Sequence, residues 1–497
     1  MTAYASLSGH FGRLAAMSNA IGILQWDSDA MMPSGAAASR AESMALLRVL
    51  AHEMAVDPRI GDWLAEADHQ TGLTDWERAN LREIRRVWTV ETALPADLVG
   101  AMSRAISASE MAWRQARADS DFKALLPHLT EVLKLQREAG AAKGEKLGLS
   151  VYDALLNDYE PGGRSATIDA LFDDLAAFLP GFIEQALDAQ ARCPALAPLD
   201  GPFAVETQRQ LGVKVMAALG YDFARGRLDI SAHPFCGGAD NDVRITTRYD
   251  EADFSKALMG VIHETGHALY EQGRPAAYMG QPVGQARGMS VHESQSLIME
   301  MQACRSPEFL TYAAPLMRAA FEASGPGWEA DALWRRYTEV KRGFIRVDAD
   351  EVTYPAHVIL RYRLEKALIA DEMALADLPA AWNAGMQDLL GITPPDDRLG
   401  CLQDIHWPSG GWGYFPTYTL GAMTAAQLFD AACRAEPDTL PAIARGDFTP
   451  LVGWLRTHIH AQGSRFETDE LLTRATGRPL DAGIFKAHLA RRYLGAE

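Results

Sequence analysis

Residues 254–273 read FSKALMGVIHETGHALYEQG, and the fold and chemistry of the chain turn on how that stretch is arranged. At about 100° per residue, Phe254, Leu258, Val261, Ile262, Thr265 and Leu269 fall on one side of a helix. His263 and His267 fall on the other, near Lys256 and Gly260. Histidines that fill a core belong on the apolar stripe, and these point away from it. Two imidazoles at i and i+4 lie one turn apart on one face, close enough to bind a single zinc ion. Glu264, directly after the first histidine, then flanks a metal-bound water as general base. Gly260 and Gly266 are expected to leave space beside the ligands.

Catalytic zinc requires a third protein ligand and one open position. A metzincin would carry glycine at 270 and histidine at 273; the chain has Tyr270 and Gly273, so that class fails. Glu271 stands about 12 Å along the helix axis from His263, too far to share its ion. HESQS at 292–296 opens another predicted helix, and Glu293 there offers a carboxylate oxygen. Ser290-x-x-Glu293 is also a capping box, in which Glu293 would bond back to the backbone of residue 290. The two roles are compatible, since a helix N-terminus keeps a carboxylate ionised. His292 is a rival ligand.

Outward from this centre the chain reads as long helices broken by Gly/Pro loops. Helical stretches are expected near 4–23, 36–55, 75–92, 97–118, 122–147, 166–192, 203–219, 291–303, 329–344, 352–374 and 377–390, with more after 419. The run RLDISAHPFCGGADNDVRITTRY (227–249) breaks this rhythm with β-branched residues, a Gly-Gly turn and alternation. It predicts a short hairpin or small sheet beside the metal helix, with an edge an extended peptide can pair with.

The 497 residues exceed what one core commonly supports, so two lobes flanking a groove are expected within a single catalytic unit spanning 1–497. Forty-seven basic against 65 acidic residues give a net charge of −18. That balance repels phosphate backbones and anionic membranes, so neither nucleic acid nor membrane is an expected partner. Five scattered cysteines with no CxxC pair, no secretory leader and no long apolar run make the cytoplasm the expected compartment.

Six motifs, the two already described among them, give the chain a family likeness. They are HPF (233–235), DVRITT (242–247), HETGH (263–267), HESQS (292–296), IRVDADEVTY (345–354) and GCLQDIHW (400–407), with weaker echoes in WDSDAMMPSGAAASRAE (26–42) and YDALLNDYEPG (152–162). Over nearly its whole length the chain resembles the carboxypeptidase Taq family of zinc metallocarboxypeptidases. The resemblance implies a mainly α, saddle- or groove-shaped fold of the neurolysin and angiotensin-converting-enzyme type, usually homodimeric. It implies removal of single residues from peptide C-termini with broad specificity. Carried over by position, His263, His267 and Glu293 become the zinc ligands, Glu264 the base, and Arg346 the holder of the substrate carboxylate.

Read from the residues alone, Arg346 could equally pair with Asp348, Asp350 or Glu351. His406, Tyr414 and Tyr418, in or after the DIHW motif, are candidate donors to a tetrahedral oxyanion or packing residues beside Trp407 and Trp412. Asp404 and Glu300 could orient histidines. Arg244 reads as a structural partner of Asp242, and His233 and His357 as structural or supporting. Cobalt or manganese suits the same nitrogen/oxygen donors as zinc. Competing readings are an endo-oligopeptidase or dipeptidyl carboxypeptidase, and a non-enzymatic helical scaffold with a structural metal site.

Overall fold

Glycine and proline mark many of the helix ends, although Phe122–Leu147 and Ser165–Ala191 each carry a proline inside. The computed structural model describes residues 2–495. Its long helices include Ala3–Ala30, Ala37–Ala55, Asp75–Glu91, Ala96–Asp119, Phe122–Leu147, Ser165–Ala191 and Val205–Leu219. After a small sheet come Phe254–Gly273, Met289–Leu297, Tyr354–Ile369, Leu378–Leu390, Pro416–Ala435 and Ala482–Leu494. The fold is mainly helical, as the periodicity predicts. Several helices stop at a left-handed glycine, as at Gly148, Gly220 and Gly391, where a missing Cβ removes the steric cost. Thr74 and Glu77 form a capping box at the start of Asp75–Glu91.

Some expectations are corrected. The helix expected over 329–344 ends at Tyr337, and Arg59–Ala67, Val151–Leu156 and Pro307–Ala320 are helices without a counterpart in the sequence reading. The stretch 291–303 is α-helical only to Leu297 and continues as a π turn over Ile298–Ala303.

The break in helical rhythm is a three-stranded sheet: β1 (Leu228–Ile230), β2 (Cys236–Ala239) and β3 (Asp242–Thr247), in the order β1-β3-β2. β2 and β3 form an antiparallel hairpin pairing Cys236 with Ile245 and Ala239 with Asp242, while β1 runs parallel to β3. Its turn is Asp240–Asn241, with Asn241 at positive φ, and the Gly-Gly pair lies inside β2 rather than in the turn. Val243 and Ile245 of β3 pack on Val261 and Ala268, so the sheet braces one flank of the helix Phe254–Gly273. Arg244 pairs with Asp242 at 2.6 Å, as expected, and its guanidinium lies 4.3 Å from the centre of the Trp26 ring.

The apolar interior divides into two large clusters. One gathers Phe122, Phe172, Ala186, Tyr362, Trp382, Trp407 and Phe485, and the other Val215, Phe254, Ile262, Phe309, Trp328 and Leu455. Pro416–Ala435 contributes to both, through Leu420, Met423 and Ala426 on one side and Ala425, Leu428 and Ala432 on the other. Phe254, Leu258, Ile262 and Leu269 of Phe254–Gly273 seat in the second cluster, which turns His263 and His267 away from it.

Candidate active site

Side chains from two helices converge beside that wall. His263 and His267 have ring centroids 5.0 Å apart. Glu293, carried by Met289–Leu297, places Oε2 3.5 Å from His267 Nε2 and 3.9 Å from His263 Nε2. One donor atom from each lies within 4.8 Å of the others. Ligands of a tetrahedral ion at about 2.1 Å are roughly 3.4 Å apart, so this spacing fits a divalent cation. The remaining ring nitrogens are occupied. His263 Nδ1 lies 2.9 Å from Glu300 Oε2, and His267 Nδ1 lies 2.7 Å from His292 Nδ1 and 3.1 Å from the His292 carbonyl. Those bonds put the ring proton on Nδ1 and leave each Nε2 lone pair free to coordinate.

The supporting residues sort as follows. Glu300 orients His263 from the π turn and is itself held by Arg305 at 2.6 Å. His292 lies outside the three-donor group, with Nε2 2.9 Å from Glu271 Oε1. Glu271 also pairs with Arg274. The capping box at Ser290 does not form; the Ser290 N–H goes instead to Glu160 Oε2 at 3.0 Å. Gly260 does leave space, its nearest neighbour being Thr247 Oγ1 at 4.0 Å. Gly266 has a different reason: a Cβ there would meet the Gln295 carbonyl at 2.4 Å, so it lets the helices carrying His267 and Glu293 touch.

Burial and charge act against each other here. Burial raises the Glu293 carboxyl, but the His267 hydrogen bond and the nearby His263, His267 and His292 outweigh it, lowering the pKa to about 2. Burial also raises Glu264, with Glu293 and Glu300 adding to the effect and His263 opposing it, to about 7. A carboxylate tuned to neutrality suits a proton acceptor. Burial lowers His267 to about 4, whereas the carboxylates around His263 overcome its burial and raise it to about 10, so a metal binding there must displace a proton from its Nε2. The His263 side chain keeps 22% of its exposure, so solvent reaches the centre.

A second charged cluster adjoins the first. Arg346 is buried, and its Nε and Nη2 lie 3.1 and 2.9 Å from Asp404 Oδ1, with Nη1 3.1 Å from the Tyr354 hydroxyl. Arg361, also buried, approaches the other oxygen of Asp404 at 2.6 Å. One carboxylate thus lies between two guanidiniums, leaving a net positive charge, and Arg361 Nη2 has no hydrogen-bond partner among the described residues. Arg346 also sits 4.8 Å over the Tyr418 ring. His406 Nε2 is 3.1 Å from the Tyr418 hydroxyl, and the Tyr414 and Tyr418 rings are 5.2 Å apart. Burial raises Tyr418 to about 12 and Tyr414 higher still, with Glu293 contributing to both, so these are neutral donors close to the metal cluster.

Arg346, His406, Tyr414 and Tyr418 are therefore brought together. The rival partners of Arg346 face elsewhere: Asp348 lies 3.6 Å from Lys256, Asp350 bonds the 352–353 backbone, and Glu351 holds His488 and Arg492. Asp404 serves the two arginines and stays 3.9 Å from His406. His233 takes part through its carbonyl, which accepts from Ser231, and His357 is fully buried. Arg361 and Glu365 escaped the sequence reading. Glu365 accepts from Trp407 Nε1 at 2.8 Å and Tyr152 at 2.7 Å, anchoring the DIHW loop. The available signal was polar residues at 357, 361 and 365, spaced i, i+4, i+8 along the buried face of a helix whose other charges, Arg363 and Lys366, are more exposed.

The model of the carboxypeptidase Taq (M32) metallopeptidases matches residues 6–493. The chain belongs to this family. Thermostable carboxypeptidase 1 of Thermus thermophilus is 40% identical to it over 94% of each chain. Metallocarboxypeptidase 1 of Trypanosoma cruzi superposes with a TM-score of 0.97 at 39% identity, covering 99% of both chains. A structure of the Pyrococcus furiosus carboxypeptidase, described as Apo-Mg, superposes at 0.92 with 32% identity and 99% coverage of both. This M32 chain is accordingly a metallocarboxypeptidase, a hydrolase of peptide bonds whose family implies a divalent metal and peptide substrates.

Proposed function

We propose that this M32 carboxypeptidase is zinc-dependent and removes single residues from free peptide C-termini with broad specificity. The observation that carries the reading is the convergence of His263, His267 and Glu293 donor atoms within 4.8 Å beside a buried, net-positive arginine pair. Two imidazole nitrogens and one carboxylate favour zinc, whereas magnesium prefers all-oxygen, octahedral surroundings. Cobalt and manganese are expected substitutes. When bound, the ion polarises the scissile carbonyl and acidifies water.

The chain's own residues divide the remaining work. Glu264 accepts the proton of the attacking water and returns it to the leaving amine. Arg346, held flat by Asp404, receives the substrate's terminal carboxylate, and the second guanidinium of Arg361 keeps that corner positive. Tyr418, Tyr414 and His406 are neutral donors available to the oxyanion. We read the two apolar clusters as two lobes of one catalytic unit flanking the substrate. A homodimer in a reducing, intracellular compartment completes the reading; five free thiols, and no helix among the described residues long and apolar enough to cross a membrane, agree with it.

The test is to strip the protein with chelator, restore one equivalent of zinc, and follow an unblocked peptide and its C-terminal amide by mass spectrometry. One-residue steps on the free acid, none on the amide and none without metal are expected. Equal cleavage of the amide, or release of dipeptides, overturns the exopeptidase reading. Light scattering and metal analysis of the same sample check the dimer and one zinc per chain.

A further inference from the structure

The helix Met289–Leu297 starts on Gly288, which has no side chain with which to cap the first N–H groups. Nor is there room for one. A Cβ on residue 288 would lie 2.9 Å from Pro161 Cδ, 3.0 Å from Glu160 Oε2 and 3.1 Å from the Tyr159 carbonyl. Two of these residues, Tyr159 and Glu160, supply what Gly288 lacks. The Met289 N–H donates to the Tyr159 carbonyl at 2.8 Å, and the Ser290 N–H donates to Glu160 Oε2 at 3.0 Å. Just before the helix, Arg287 Nη2 donates to the Pro161 carbonyl at 3.0 Å. Glu160 is buried, and its other oxygen accepts from Thr468 Oγ1 at 2.8 Å.

Glu293 follows Ser290 by three residues, one turn further along this helix. The rotation and height of the first turn therefore set where its carboxylate reaches. Across the same loop, the Tyr159 ring packs edge-on against Tyr414 at 4.9 Å. The segment 159–161 thus touches both the Glu293 helix and the aromatic cluster, and it is the part of the YDALLNDYEPG stretch to which no role had been attached.

We propose that Glu160 is a positioning residue for the metal centre: its carboxylate caps, from a distant part of the chain, the helix that carries Glu293 and so fixes where that ligand's oxygen lies. The inference rests on the reading of Glu293 as a ligand. It differs from an ordinary structural role because it acts on the affinity and geometry of the metal more than on the presence of the fold.

The experiment measures zinc affinity of full-length E160A, E160Q, E160D and E293A by chelator competition, and records the visible spectrum of each after cobalt loading. E160A is expected to bind zinc about 10- to 100-fold more weakly, the range for residues that support a ligand, with an altered cobalt spectrum. E160Q is expected to recover most of the affinity, because an amide oxygen still accepts from the Ser290 N–H. E160D, with its acceptor withdrawn by one methylene, should lie between them and supplies the measurement if E160A fails to fold. Parent-like affinity and spectrum in E160A (or in E160D, if that is the variant that folds) overturn the proposal, as does E160Q behaving like E160A. Unchanged zinc affinity in E293A instead sinks the ligand assignment itself, which separates the two failures.

Discussion

Two buried charge clusters meet in the active site, and they are unbalanced in opposite senses. Around His263 and His267 the excess is negative: Glu264, Glu271, Glu293 and Glu300 are answered by Arg274 and Arg305 at the margin. Around Asp404 the excess is positive, with Arg346 and Arg361 sharing one carboxylate among neutral tyrosines. Uncompensated charge is expensive inside a protein. The difference teaches how the proposed reading divides the work: the acidic cluster suits a cation and the basic one an anion, so the reading sets a metal beside a free C-terminus.

The sharpest way to break this pairing is Glu264→Gln, which leaves the three donors untouched. Turnover is expected to fall by about 10²- to 10⁴-fold with one zinc per chain retained; near-normal turnover would remove Glu264 from the chemistry. Arg346→Ala comes next. It leaves Asp404 and Arg361 as a neutral pair, and kcat/KM on free-acid peptides should drop by about 10²-fold, the loss typical of a buried charge-assisted contact. Residual activity that no longer distinguishes acid from amide would sharpen the assignment, and an unaltered acid preference would refute it.

Acidification should part the two clusters. Protons compete with metal for the ligands: His263, raised to about 10, already binds one at neutrality in the metal-free centre, whereas His267 does so only near 4, so zinc binding is expected to weaken progressively as the pH falls from 7 and to be gone by about 4. Burial would raise Asp404, but Arg346 and Arg361 hold it well below the usual carboxylate range. A depressed carboxylate contributes stability above its unfolded value of about 3.9 and loses it only as pH falls through the lower folded value. The arginine cluster therefore stays intact through the window in which metal is lost. Zinc content and tryptophan fluorescence, followed together from pH 7 to 4, check this; a fluorescence change at Trp407 and Trp412 preceding metal loss reverses the order. The smallest effect expected is for Tyr418→Phe, about 10-fold in kcat with little change in KM, because His406 and Tyr414 remain as alternative donors. A change confined to KM would make Tyr418 a binding residue.

The first cluster was far more legible than the second. HETGH is local: helix periodicity alone puts both imidazoles on one face, and the apolar stripe through Ile262 says which way they turn. Glu293 needed only the next helix. Arg346, Arg361 and Asp404 come from three separate segments, and nothing in spacing says that Asp404 rather than Asp348 or Glu351 meets Arg346; tertiary packing decides it. The capping box at Ser290 failed for the same reason. A local pattern was present, but Glu160, 130 residues earlier, reached the Ser290 N–H first. Short helices such as Val151–Leu156 were missed because six residues span less than two turns, too few for a period to show.

The arginine pair also bears on how substrates arrive. Seen from beyond a Debye length, about 8 Å at physiological salt, the molecule presents its overall charge of −18 and repels acidic peptides. At contact the same peptides meet a local positive corner. Encounter and capture are thus governed by fields of opposite sign: added salt should hasten association of acidic peptides, slow that of basic ones, and leave the step at the buried guanidiniums almost unscreened.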